Sequence, residues 1–217
     1  MLKHMRGAAI HTGRGQLMNT SHLDRRNKAT NKASSVLGIN GSPVKSGRAA
    51  RLLNEALKAS TAAGATTKLV HLVNYEKELF TLGHVARPPG LIPKLLRDVQ
   101  AADCLILATP VHWFGVSSLM KNFLDHLSTL EANHFLLEGT VVGCIAALEE
   151  DGGMKTVLDM VGPLSHMGAM FPPYGMFFCN RNMSRKSERK WMLKDHRLLG
   201  TNVVRLAQAN KDTDWGY

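Results

Sequence analysis

Ser42, Lys45, Ser46, Gly47 and Arg48 fall within one short stretch, NGSPVKSGRAARLL, that starts at Asn40. Two hydroxyls, two cations and a glycine ahead of a helix-like run suit an anion. A helix N-terminus has unpaired N–H groups and about half a positive charge. Glycine lets the backbone wrap an anion closely, and Ser42 and Ser46 can donate hydroxyls. The stretch lacks the GxxxxGK[ST] spacing of a triphosphate loop and also lacks GxGxxG, so it is built for one phosphate group. The competing reading is a tight strand–helix turn in which Ser46 only caps the helix.

A second stretch weighs against that alternative. TPVHWFG runs from Thr109 to Gly115, where Pro110, Val111, His112 and Trp113 follow an apolar run. A planar aromatic ligand can stack on such residues. A third stretch, LEEDGG, ends in Asp151, Gly152 and Gly153. Its glycines permit close backbone approach and Asp151 is a candidate helix cap. Its three acids would repel a phosphate, so this loop should face the ring end of a ligand. One phosphate at one end and a flat ring at the other suggest a mononucleotide such as FMN.

These stretches need elements to position them. Apolar runs at Ser35–Ile39, Thr67–Leu72, Cys104–Ala108, Thr140–Leu148 and Tyr174–Phe178 read as buried strands. Helical spacing marks Gly47–Ala63, Leu91–Ala101, Val116–Leu130, Met154–Met167 (interrupted at Gly162-Pro163) and Ser184–Ala209. Asn74–Gly90 is irregular and ends in Arg87-Pro88-Pro89-Gly90. Five strands, each followed by a helix, imply an α/β fold with a doubly wound, five-stranded parallel sheet in the flavodoxin-like order 2-1-3-4-5. The three stretches then follow strands 1, 3 and 4, at the carboxyl edge where such sheets bind ligands.

GINGSPVKSGRAARLL together with ADCLILATPVHWFGVSSLMKNFLDHL resembles the NAD(P)H-dependent FMN reductase family of flavodoxin-like proteins, across roughly residues 35–180. That family has a GSPRxxGxT-like loop and a TPVYWxxxxxxLKxFxDR stretch. The resemblance implies that Ser42, Lys45, Ser46, Gly47 and Arg48 hold the FMN phosphate, and that Pro110, Val111, His112 and Trp113 border the isoalloxazine ring; Asp151 and Gly152 are candidates from the third stretch itself. It implies NADPH or NADH as cosubstrate, a small-molecule acceptor of the quinone, nitro, azo or flavin kind, and a homodimer or higher homo-oligomer, for which the 116–130 helix is a candidate face. No catalytic side chain is required, since the flavin carries the chemistry. The departures are Arg48 where the family often has Asn, Ala49 for Thr, His112 for Tyr and His126 for Arg. The cysteine cluster of iron–sulfur relatives would fall in 74–90, which holds no cysteine, so no cluster and no metal are expected.

Composition limits the rivals. No apolar run approaches the roughly 20 residues a membrane helix needs, and no secretory signal is evident. Cys104, Cys144 and Cys179 lack metal-ligand spacing and read as buried thiols of a cytoplasmic protein. Of the formal net charge of +10, residues 1–33 supply +6, from seven Lys/Arg against Asp24. This stretch has no core pattern, so the expected organisation is a basic, disordered tail, 1–33, and an FMN-binding domain, 34–217. A transit peptide and a nucleic-acid arm are alternatives for the tail, but the remaining +4 marks no reading surface in the domain. Lys121 and Asp125 have ordinary salt-bridge spacing, and His71, His84, His134, His166 and His196 lack ligand spacing. The main rival is a non-catalytic flavodoxin-like electron carrier, a class that is usually acidic.

Overall fold

The structure is a computed structural model, and it describes residues 33–79, 90–131, 135–180, 186–211 and 213. The 1–33 tail therefore lies, but for its last residue, outside the described residues, as do His84, His134 and most of the Pro-rich stretch before Gly90.

Strand β1 (Ser35–Asn40) leads into helix α1 (Arg48–Ala62), and β2 (Thr66–His71) follows. A 3-10 turn at Leu72–Tyr75 and one turn of helix, α2 (Glu76–Leu79), come next, then α3 (Ile92–Ala101). Strand β3 (Cys104–His112) turns back through β4 (Gly115–Val116) into α4 (Ser118–Glu131). The chain closes with β5 (Val141–Leu148), α5 (Gly153–His166), β6 (Met176–Asn180) and α6 (Lys186–Ala209). The long strands pair in parallel in the order β2-β1-β3-β5-β6, with β4 antiparallel on the end of β3. This is the expected 2-1-3-4-5 order. The additional two-residue strand β4 makes the sheet six-stranded rather than five-stranded.

Alternation along the strands divides the core. Leu105 and Leu107 of β3 face α3, α4 and α5, and pack with Leu95, Phe123 and Val157. Cys104 and Ile106 face α1 and α6, and pack with Leu53, Leu57, Leu199 and Val203. The α1–α6 contact is very close: a Cβ on Gly200 would lie 2.0 Å from the Ala56 carbonyl oxygen. Ser60 donates its hydroxyl to the Gly200 carbonyl at 2.8 Å across the same contact.

Two sequence boundaries move, each for a physical reason. Strand β3 does not stop at Ala108 but runs through Pro110 to His112, because Pro110 still pairs with Ala147 near the end of the strand, where one missing donor is tolerated. Helix α5 is continuous through Gly162 and Pro163 rather than interrupted, with Pro163 inside it at the cost of the one backbone bond a proline cannot donate. The apolar residues of α4, including Leu119, Phe123, Leu127 and Leu130, are buried in the chain's own core and are not a free face. Among the described residues no helix is long and apolar enough to cross a membrane.

Candidate functional site

The loop between β1 and α1 is shaped by its own side chains. Asn40, fully buried at the end of β1, accepts the Ser42 N–H on Oδ1 at 3.1 Å. Ser42 is buried, and its Oγ accepts the Val44 N–H at 3.1 Å, which leaves the hydroxyl proton available. The chain then folds back, with Gly47 N donating to Val44 O at 3.0 Å. Gly47 is the N-cap residue of α1 and no side chain caps that helix. The capping alternative for Ser46 is thus excluded, and Ser46 and Lys45 are exposed. The first turn of α1 has its N–H groups at the loop. A Cβ on Gly47 would lie 3.0 Å from Val44 O and 3.2 Å from Ser42 Oγ, so a side chain in this hollow would have to push these groups back by a few tenths of an ångström.

Arg48 points elsewhere. Its Nη1 donates to Leu148 O at 2.5 Å and its Nη2 lies 3.6 Å from Glu149 Oε1. The guanidinium therefore ties the start of α1 to the end of β5 and shares its charge with a carboxylate, instead of standing free over the loop.

The second segment is a two-residue β-hairpin. His112 pairs with Gly115 and Val111 with Val116, leaving Trp113 and Phe114 at the tip. Both tip residues are left-handed, with φ of 47° and 63°. A two-residue hairpin with φ > 0 at both positions normally carries Asn-Gly, because the mirror-image turn matches the twist of the strands and most side chains resist it. Here two bulky aromatics occupy it. Trp113 is 95% exposed and Phe114 53% exposed, and their rings meet edge to face at 6.2 Å. Backbone strain held in solvent-facing aromatics is a mark of a functional site. His112 is exposed beside them, while Pro110 and Val111 are half-buried along β3.

The third segment receives this hairpin. Gly152, at φ 84°, is the N-cap residue of α5, and a Cβ there would lie 2.9 Å from the Phe114 Cα. Asp151 does not cap the helix as expected. Its carboxylate accepts the N–H of the adjacent Gly152 at 2.7 Å, so the cap position falls to glycine. Asn180 of β6 donates to Glu150 O at 2.7 Å and fixes the loop from the other side.

The three segments close into one ring of contacts at the carboxyl edge of the sheet. Gly41 N donates to Ala108 O at 2.7 Å, and Ser117 Oγ donates to Gly41 O at 2.6 Å, which joins the first loop to the hairpin. Phe114 on Gly152 joins the hairpin to the third segment, and Arg48 on Leu148 joins the third back to the first. Ser117 is also keyed to Thr109 Oγ1, which accepts its N–H at 3.1 Å, and it accepts the Met120 N–H as a cap of α4. Sequence reasoning missed Asn40, Thr109, Ser117 and His71 as site-forming residues. A serine ahead of a helix-like run was the signal for Ser117. For His71, which lies beside Asn40 in the β1–β2 register, the sequence offered none.

Comparison with known proteins places the chain in a family. A family model described as NADPH-dependent FMN reductase matches residues 34–182. The chain belongs to that family. As an FMN reductase family member it is an FMN-dependent oxidoreductase with a flavodoxin-like fold. An iron-sulfur flavoprotein of Methanocaldococcus jannaschii is 29% identical over 133 residues, covering 58% of this chain and 68% of that one. An iron-sulfur flavoprotein of Archaeoglobus fulgidus is 34% identical over 99 residues, covering 42% of this chain and only 44% of the relative. Among solved structures, RosB with bound 8-demethyl-8-formylriboflavin-5'-phosphate has a TM-score of 0.69 at 21% identity, covering 83% of this chain and 81% of that one.

Flavin mononucleotide offers phosphate oxygens that only accept hydrogen bonds, and the first loop supplies what they need: the Ser42 and Ser46 hydroxyls, Lys45, and the hollow kept open by Gly47. The residues present therefore fit the group. They do not fit an iron–sulfur cluster in the same way. The chain's three cysteines, Cys104, Cys144 and Cys179, sit buried on three different strands. Burial pushes the Cys104 and Cys144 thiols up to about 12, away from the thiolate a metal requires. Among the described residues no cluster of His, Cys, Asp or Glu could hold a metal ion.

Proposed function

We propose that the protein takes a hydride from NADPH or NADH through its bound FMN and delivers the reducing equivalents to a small quinone, nitro, azo or flavin acceptor. The single observation that carries this reading is the strained Trp113–Phe114 hairpin, exposed on the same sheet edge as the phosphate-type loop. An electron carrier needs only an exposed flavin edge. A solvent-facing aromatic platform gives a flat nicotinamide or acceptor something to stack on.

FMN supplies the redox chemistry, and the chain's residues bind and orient. Ser42, Ser46 and Lys45 hold the phosphate, with the α1 N–H groups behind it. Arg48 contributes by fixing the third segment against the first, and Gly47 keeps the hollow open. Pro110, Val111, His112 and Trp113 border the ring, with Asp151 and Gly152 at the far side, where Gly152 makes room for the hairpin. The protein is proposed to be cytoplasmic and homo-oligomeric, with residues 1–33 a basic tail outside the 34–217 domain. The oligomer would not use α4, whose apolar residues are already in the core. Phe114, Met154, Leu158 and Phe178 are the exposed apolar side chains around α5 and β6 that suit it better.

The test is direct. Purified protein reconstituted with FMN is mixed with NADH or NADPH, flavin bleaching at 450 nm is followed, and quinone, nitro, azo and free-flavin acceptors are supplied in turn. Turnover above that of free FMN is expected. Trp113→Ala should lower it by roughly tenfold while FMN affinity holds, because stacking contributes about 0.5–1.5 kcal/mol and the phosphate anchor is untouched. Turnover equal to that of free FMN with every acceptor would leave the carrier reading in its place.

A further inference from the structure

Asn40 lies between two partners, and their chemistry fixes the state of both ends. The Ser42 N–H can only donate, so the Asn40 atom 3.1 Å from it is the carbonyl oxygen. The other end of the amide is then the NH2 group, which also can only donate, and it lies 2.9 Å from His71 Nδ1. His71 Nδ1 must therefore accept. An accepting Nδ1 means a neutral ring with its proton on Nε2, since both nitrogens of a charged imidazolium are donors. The chain from His71 through Asn40 to Ser42 is complete for one charge state only.

We propose that Asn40 and His71 are a positioning pair that holds the phosphate loop in its binding shape only while His71 is uncharged. This rests on the reading of residues 42–48 as the flavin phosphate site. On protonation, Nδ1–H would face the Asn40 NH2. The amide must then turn over to present Oδ1 to His71, and its NH2 comes to face the Ser42 N–H. Ser42 loses the bond that fixes the first residue after Gly41, and its own hold on Val44 N follows it.

The surroundings favour the neutral ring near pH 7. Burial at the end of β2 holds the His71 pKa below the ordinary 6.5 of a free imidazole, and the charge of Lys45 acts in the same direction. Lys45, from the β1–α1 loop, is the one charged group among the described residues that acts on His71, while β1 presents the uncharged Asn40. Charging therefore waits until the pH falls below 6.5, and the pair is intact above it. Asn40 is fully buried, so no water competes for its amide. A strand-end asparagine with both ends of its amide engaged sets the loop more firmly than the turn residues alone.

The experiment compares wild type, His71→Gln and His71→Phe. FMN dissociation constants are measured by fluorescence quenching from pH 5 to 8, and hydrogen exchange of the Ser42 amide is measured by NMR in flavin-free protein. Glutamine offers an acceptor that does not titrate; phenylalanine offers none. At pH 7.5 the Gln variant should match wild type, and the Phe variant should bind FMN roughly three- to tenfold more weakly, as one lost hydrogen bond implies. As the pH falls below 6.5 wild type should progressively lose affinity relative to His71→Gln. The phosphate itself also titrates near 6; that titration of free FMN is common to both proteins and cancels in the ratio. Amide exchange intrinsically slows as the pH falls, so the readout is protection: relative to that trend, Ser42 should lose protection in wild type as the pH falls and keep it in His71→Gln. A constant ratio of affinities across the range, or Ser42 exchange identical in all three proteins, overturns the proposal. Failure of wild-type protein to bind FMN at any pH would overturn the phosphate site instead, and the exchange data on flavin-free protein would still decide the pair.

Discussion

Replacing Trp113 and Phe114 together by Asn and Gly should make the protein more stable and a poorer catalyst. Each aromatic holds a left-handed backbone, which costs an L-residue about 1–2 kcal/mol, so the hairpin stores about 2–4 kcal/mol. Asn-Gly adopts the same turn almost without strain. Against that gain stands lost packing. Trp113 is 95% exposed and loses almost nothing on removal, whereas Phe114 is half-buried on Gly152 and gives up about 1 kcal/mol. The net is a stabilisation of about 2 kcal/mol, or a rise in Tm of roughly 4–8 °C for a chain of this size. Thermal and urea unfolding of flavin-free wild type and double variant would measure it, with the urea m-value as a check that the unfolded state is unchanged. NAD(P)H turnover, measured beside it, should fall by tenfold or more. A double variant that unfolds at a lower temperature than wild type would refute the strain argument, because it would show that the aromatics stabilise the turn they occupy.

Other expectations follow from the loop and from the core. Ser46→Ala should weaken FMN binding roughly 10- to 100-fold, since a hydrogen bond to a charged group contributes about 1.5–3 kcal/mol. Arg48→Ala should weaken it with little dependence on salt, because Arg48 acts through Leu148 and Glu149 at short range; a steep salt dependence would instead mark it as a phosphate partner. FMN should bind more tightly than riboflavin or FAD, and equal quenching constants for riboflavin and FMN would remove the phosphate assignment. Cys104 and Cys144 should resist a thiol reagent at pH 8 until denaturant is added, because their thiolates do not form until near pH 12. Rapid labelling of either in native protein would contradict the burial.

Most of the fold was legible because its signals are local. Buried parallel strands such as Cys104–Ala108 read as unbroken apolar runs, and helices such as α1 read from their spacing. The sheet order came from the alternation of the two. What escaped depended on partners distant in sequence. The extension of β3 through Pro110 relies on pairing with Ala147 and on the β4 return, neither of which is visible in TPVHWFG alone. Arg48 reads as a loop cation because its neighbours are loop residues, yet its partner lies 100 positions away at Leu148. Asp151 reads as a cap by type, but it bonds the next residue and Gly152 takes the cap. His71 has no ligand spacing in the sequence, yet it enters the site edge through its register with Asn40.

The Gly200–Ala56 contact bears on the site from far along the chain. With the Ala56 carbonyl oxygen only 2.0 Å from where a Cβ would stand, even alanine at 200 must drive α1 and α6 apart. Helix α1 is a stiff rod whose other end carries Gly47 and Arg48. Prised off at its middle, it pivots, and its tip moves relative to the sheet edge. A genetic screen for lost flavin retention should therefore recover lesions at Gly200, in a residue that never meets the ligand. The chain cannot vary that glycine without also re-aiming the end of the helix proposed to hold the phosphate.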